Sequence, residues 1–173
     1  MNSKQIKCYE EIIDKYQDRL VKYAFFRIGS YEDAQDIVQN VFIKFFEKKI
    51  NFGLFNNPKS YLFQSISNAC IDFYRSNNRF NTVSLENVQE INSIKDTDYI
   101  NLIEEYKRIK SVLKILPEEQ SEVVHLRAID DLSFIEIAKI LNIPVSTVKS
   151  RFKYGIDKLK LNYKEKLEVN YEL

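Results

Sequence analysis

Glycine and proline are scarce in this chain, three of each in 173 residues. Strand-rich folds joined by tight turns need more of both, so the composition points to long helices with few breaks. Cysteine occurs twice and histidine once. Cys8 and Cys70 lie far apart and lack CxxC spacing, which leaves two reduced thiols rather than a disulfide or a metal site. The single imidazole, His125, stands among Val123, Val124 and Leu126 with no second histidine to join it. Metal ligation and acid–base catalysis therefore lack their usual partners, and a structural or surface role is expected. No glycine-rich phosphate loop is present. No stretch approaches the apolar length of a signal peptide or a membrane span, and the polar start fits a cytoplasmic protein.

What is present is a chain with 45% hydrophobic and 29% charged residues, long enough for one domain or two small ones. The formal net charge of +1 gives no hint of a partner. Its distribution does. From Pro144 to Lys166 seven basic residues stand against two acidic ones. A basic stripe on one helix is an electrostatic footprint for phosphates, although a charge run alone favours a solvated helix face.

Apolar residues at Ile6, Tyr9, Ile13, Tyr16, Leu20, Tyr23 and Ala24 have helical spacing and predict an amphipathic first helix ending before Gly29. Ser30 is placed to cap a second helix, with Glu32 and Asp33 at its positive end. The apolar stripe of that helix is Ala34, Ile37, Val38, Val41, Phe42 and Phe45. Residues 51–57 interrupt the pattern, and Asn57-Pro58 starts a third helix. Leu62, Ile66, Ala69 and Phe73 are expected on its core face, with Gln64, Asn68, Asp72 and Arg75 on another. Between Ser76 and Asp98 the chain is rich in Ser, Asn, Asp and Thr and reads as a linker, with room for a short strand or helical turn over 83–91. A long amphipathic helix then runs from Tyr99 toward Leu116 and ends at Pro117. The expected fold class is all-α: two small helical domains, 1–77 and 99–173, joined by a linker over 78–98.

Leu132 to Tyr154 predicts two short helices joined by a tight turn. Ser133 with Glu136 forms a capping box, Asn142 tolerates the left-handed backbone a turn requires, and Pro144 suits the start of a second helix. Ala138 is small enough for a close helix crossing. Val148, Phe152, Ile156 and Leu159 point inward, leaving Ser146, Lys149, Ser150, Lys153 and Tyr154 outside. This is a helix-turn-helix with a basic outer face, which favours DNA over plain packing.

These motifs carry a family resemblance. Leu116-Pro117-Glu118-Glu119-Gln120, then Val123 to Arg127, then Pro144 to Arg151 closely resemble the C-terminal domain of extracytoplasmic-function (ECF) sigma factors. Asp33 to Phe42 resembles the polymerase-binding helix of that family, and Tyr61-Leu62 through Asn68 to Arg75 its promoter-melting helix. Two motif sets in family order are more specific than one. The family usually has Trp at the place of Tyr61, often Gly at that of Ser146, and more arginines after Arg151.

The resemblance implies a sigma factor that directs RNA polymerase core to promoter DNA, touching the beta-prime clamp and the beta flap. Asp33, Asp36, Gln39 and Asn40 match the clamp-binding positions. Phe52, Phe55, Asn56, Asn68, Asp72, Arg75 and Arg79 supply rings, amides and charges suited to an opened strand at the minus-ten-like element. Burial as core is an equal reading for the two phenylalanines. At the upstream element, Lys149, Ser150, Lys153 and Tyr154 are candidates for base edges in the major groove, and Ser146 is a further DNA-binding position. Thr147 and Arg151 are candidates for phosphates or for support of the helix. An anti-sigma partner, often membrane-anchored in the family, is also implied. No cofactor, metal or small-molecule substrate is expected, and the protein is not expected to be an enzyme. The alternative is a stand-alone helix-turn-helix regulator. Such proteins usually add a ligand or receiver domain, and the N-terminal half here lacks a receiver's alternating strands.

Overall fold

The structure is a computed structural model in which residues 3–47, 58–80 and 97–171 are described. They form seven helices and no strand: α1 (Ser3–Ile28), α2 (Tyr31–Glu47), α3 (Pro58–Phe80), α4 (Thr97–Leu113), α5 (Glu118–Ala128), α6 (Phe134–Leu141) and α7 (Val145–Tyr171). The chain divides into two compact units, Met1–Ser93 and Ile94–Leu173.

In the first unit α1, α2 and α3 pack against one another around an aromatic-rich core. The corner between α1 and α2 is set by backbone chemistry. Gly29 adopts φ 77°, a left-handed value that costs glycine no Cβ clash, and its N–H closes on the Phe25 carbonyl at 2.8 Å. Ser30 Oγ then accepts the Asp33 N–H at 3.4 Å, as its position before the helix predicts. Tyr23 and Phe25 from α1, Phe45 from α2 and Leu62, Phe63 and Ile66 from α3 are fully enclosed. Tyr23 meets Phe63 at 5.4 Å and Phe45 meets Tyr61 at 5.5 Å in tilted pairs, within the ~4.5–7 Å centroid range of favourable aromatic contacts. The Tyr74 hydroxyl donates to the Arg27 carbonyl at 2.6 Å and joins α3 to the end of α1.

The buried side of α3 differs in phase from the sequence expectation. Leu62, Phe63, Ile66, Ser67 and Cys70 face the core, whereas Ala69 and Phe73 are half-buried. Ser67 is a polar residue inside, which hides the true stripe from a hydrophobicity pattern.

In the second unit α5 and α6 both pack on α7. The α4 helix stops at Leu113 rather than running to Pro117, and a turn brings buried Leu116 to α5. Gly155 of α7 is buried where that helix crosses α5: an added Cβ would stand 2.8 Å from Val124 Cγ2 and 3.5 Å from Leu116 Cδ1. The single histidine is buried too. Its Nδ1 lies 3.1 Å from Asp130 Oδ2, with the two side chains 3% and 4% exposed, so its role is structural. No helix among the described residues is long and apolar enough to cross a membrane.

Candidate nucleic-acid interface

The C-terminal motif is built by local chemistry at each joint. Before α6, Ser133 Oγ accepts the Glu136 N–H at 3.2 Å, while Glu136 Oε2 accepts the Ser133 N–H at 2.8 Å. This reciprocal capping box satisfies donors that the first turn of a helix leaves orphaned. After α6, Asn142 turns left-handed (φ 53°, ψ 47°), and the Ile143 N–H closes on the Ala138 carbonyl at 3.1 Å. Pro144 then precedes α7, its carbonyl accepting the Val148 N–H at 3.1 Å. Both joints follow the sequence expectation.

Packing fixes how α7 is presented. Val148 is fully enclosed, and Phe152 sets its ring 5.4 Å from Phe134 of α6 in an edge-on contact. Phe134 also carries the Arg127 guanidinium over its face at 5.3 Å. With that side of α7 occupied, Ser146, Lys149, Lys153 and Tyr154 are exposed, Tyr154 to 62%. Ser150 and Thr147 are half-buried, and the Ser150 hydroxyl donates to the Thr147 carbonyl at 2.9 Å. Arg151 stands apart from this group. Its Nη2 lies 2.5 Å from Glu119 Oε2 on α5. Sequence reasoning missed both Glu119, 32 positions away, and Gly155, whose neighbours only the packing reveals.

In the first unit Asp36, Gln39 and Asn40 lie on the exposed side of α2 and Asp33 is half-buried. Ile43, 53% exposed, continues that surface one turn further on, an apolar member not foreseen. On α3, Asn68, Asp72 and Arg75 are exposed along one face with Ile71. Arg75 pairs with Asp72 at 3.4 Å, both 74% exposed, so solvent screens the pair and its worth is small. Arg79 belongs to the last turn of α3. Phe52, Phe55 and Asn56 fall outside the described residues, as does the segment 83–91. Among the described residues no group of three or more His, Cys, Asp or Glu could hold a metal ion.

A capped helix-turn-helix with a cationic outer face, in one chain with a separate three-helix unit, defines a two-module DNA-binding protein of the all-α class. The sigma-70 region 2 family matches residues 12–80, and the sigma-70 region 4 family matches residues 112–161. The ECF RNA polymerase sigma factor SigW of Bacillus subtilis is 28% identical over 172 residues, covering 91% of this chain and 92% of that protein. The ECF RNA polymerase sigma-E factor of Escherichia coli is 26% identical over 155 residues, covering 84% and 81%. Among solved structures, sigma factor RpoE from Bartonella quintana, in complex with the anti-sigma factor NepR, superposes with a TM-score of 0.66 at 21% identity, over 91% of this chain and 98% of that one. CnrH, in complex with the cytosolic domain of CnrY, gives 0.64 at 20% identity, over 92% and 89%. The chain belongs to the ECF group of the sigma-70 family of RNA polymerase sigma factors. Regions 2 and 4 in one chain set it apart from a stand-alone helix-turn-helix regulator.

Proposed function

We propose that this chain binds core RNA polymerase in the cytoplasm and directs it to promoters by two separate DNA contacts. The observation that carries the reading is the outward cationic face of α7, held by a capped turn, in a chain that also carries region 2. The α7 helix enters the major groove of the upstream element. Ser146, Lys149, Ser150, Lys153 and Tyr154 face base edges, and Thr147 and Arg151 touch phosphates or support the helix. The exposed side of α3, with Asn68, Asp72 and Arg75, takes the opened non-template strand of the minus-ten-like element, with Arg79 of the last turn as a further contact. Phe52, Phe55 and Asn56 of the preceding segment help enclose an unstacked base. Asp33, Asp36, Gln39 and Asn40 on α2 bind the beta-prime clamp, and the C-terminal unit meets the beta flap. The polymerase supplies the chemistry, and the chain itself is not an enzyme.

An anti-sigma factor is the expected regulatory partner, since the two structural relatives were solved with NepR and with the cytosolic domain of CnrY. Attachment of that partner to a membrane is part of the same proposal. The test is co-purification with core polymerase followed by transcription in vitro. Capture of core and factor-dependent initiation is the expected result. Tight operator binding by the isolated chain, without core capture, refutes it, because two small DNA contacts on one linker need polymerase to fix their spacing.

A further inference from the structure

The chemistry of α7 divides unevenly around its axis. Two residues along an α-helix differ by about 200° in direction, so Arg151 lies about 160° from both Lys149 and Lys153. Val148 and Gly155, three positions before and four after, share its side, and that side packs on α5. Arg151 is thus the one cation of the recognition segment 145–154 that turns away from the exposed group. Its side chain is only 25% exposed, whereas its partner Glu119 is 70% exposed.

Resting on the sigma-factor reading, we infer that Glu119 and Arg151 are positioning residues: their ion pair sets the rotation of α7 and thereby which side chains reach the base edges. Neither touches a base. Three contacts share the work of holding α7. Gly155 sets how closely α7 approaches α5, Phe152 against Phe134 holds its α6 side, and the ion pair resists turning about the axis. Arginine suits this role because its planar fork keeps direction where an ammonium would swivel. Side-chain tips lie about 5–6 Å from a helix axis, so a turn of about 10° moves Lys149 and Lys153 by about 1 Å. A hydrogen bond to a base edge does not survive many such shifts.

The experiment uses holoenzyme assembled from the full chain and core polymerase. Its probes are a duplex that wild-type holoenzyme selects from a randomised pool, and the same duplex with the upstream element scrambled. The readout is the ratio of open-complex formation on the two. Glu119→Gln and Arg151→Gln each lower that ratio about threefold to fivefold, and the double variant falls no further than either alone. The salt dependence keeps its slope. Glu119→Gln changes an exposed carboxylate, so folding of that variant is secure.

A pair that merely supports the fold reduces yield on both duplexes alike and leaves the ratio unchanged, which overturns the inference. A phosphate role for Arg151 gives the opposite sign: Glu119→Gln then releases the guanidinium and strengthens binding to both duplexes. Arg151→Gln in that case flattens the salt slope by about one unit, and this also overturns it. Selection by wild-type holoenzyme with unchanged ratios in the variants defeats only the pair. Failure of wild-type holoenzyme to select any duplex defeats the sigma-factor reading with it.

Discussion

Replacing Gly155 by alanine tests the α5–α7 crossing through the sign of its effect. In an exposed helix the change stabilises by about 1 kcal/mol, because alanine loses less conformational freedom than glycine. Here the new Cβ meets Val124 Cγ2 at 2.8 Å, against ~3.5–4.0 Å for carbon atoms in contact. Val124 is 4% exposed and β-branched, so its methyl has few rotamers into which to retreat. Overpacking of this kind costs about 1–3 kcal/mol. The overlap therefore outweighs the propensity gain, and Gly155→Ala is expected to destabilise the C-terminal unit by about 1 kcal/mol. For a unit of this size that lowers the melting temperature by about 4–8 °C. The assay is thermal and urea unfolding followed by circular dichroism, with Val124→Ala as the second arm. Removing the obstructing methyls should turn the cost of Gly155→Ala into a gain of about 1 kcal/mol relative to Val124→Ala alone. A rise in melting temperature for Gly155→Ala by itself refutes the close-approach argument.

Ser133→Ala should cost about 1 kcal/mol, seen as a lower unfolding midpoint, since it removes the acceptor that caps α6. Lys149→Ala and Lys153→Ala should weaken promoter binding by holoenzyme; a residue touching only phosphate lowers affinity evenly across sequences by about 1 kcal/mol and reduces the salt slope, as titrations at several ionic strengths would reveal. Asn68→Ala should leave the fold and core binding intact because the side chain is exposed. Its transcription defect should appear on closed duplex and be largely rescued on a template with a pre-opened minus-ten-like region. Equal loss on both templates would assign Asn68 a contact other than melting.

The parts legible in the sequence are those decided within a few residues. The capping box needs only Ser133 and Glu136, the left-handed turn needs only Asn142, and the α1–α2 corner needs Gly29 and Ser30. Each rule acts over one helical turn, and each structure agrees with it. The face of α3 was not legible in full, because Ser67 is buried and Phe73 only partly so, and a 3.6-residue period admits a neighbouring phase. The end of α4 was misplaced by three residues, since proline marks where a helix must have stopped rather than where it stops. The Glu119–Arg151 pair and the space at Gly155 depend on how α5 lies against α7, which no local pattern encodes. His125 illustrates the middle case: the sequence left a structural or a surface role open, and the packing buries it together with Asp130.

That buried His125–Asp130 contact constrains how this sequence is free to drift. Losing either residue alone takes this contact from a polar side chain that stays in the core, at a cost of about 1–3 kcal/mol. Domains of this kind have about 5–15 kcal/mol of stability in total, so one such step consumes much of the margin. Replacing both together with apolar groups of similar shape is far milder. The two positions, five residues apart across the turn that leads into α6, are therefore epistatic: a substitution tolerated at one depends on what already stands at the other. Grafting this segment into a related factor should work only when both residues travel together.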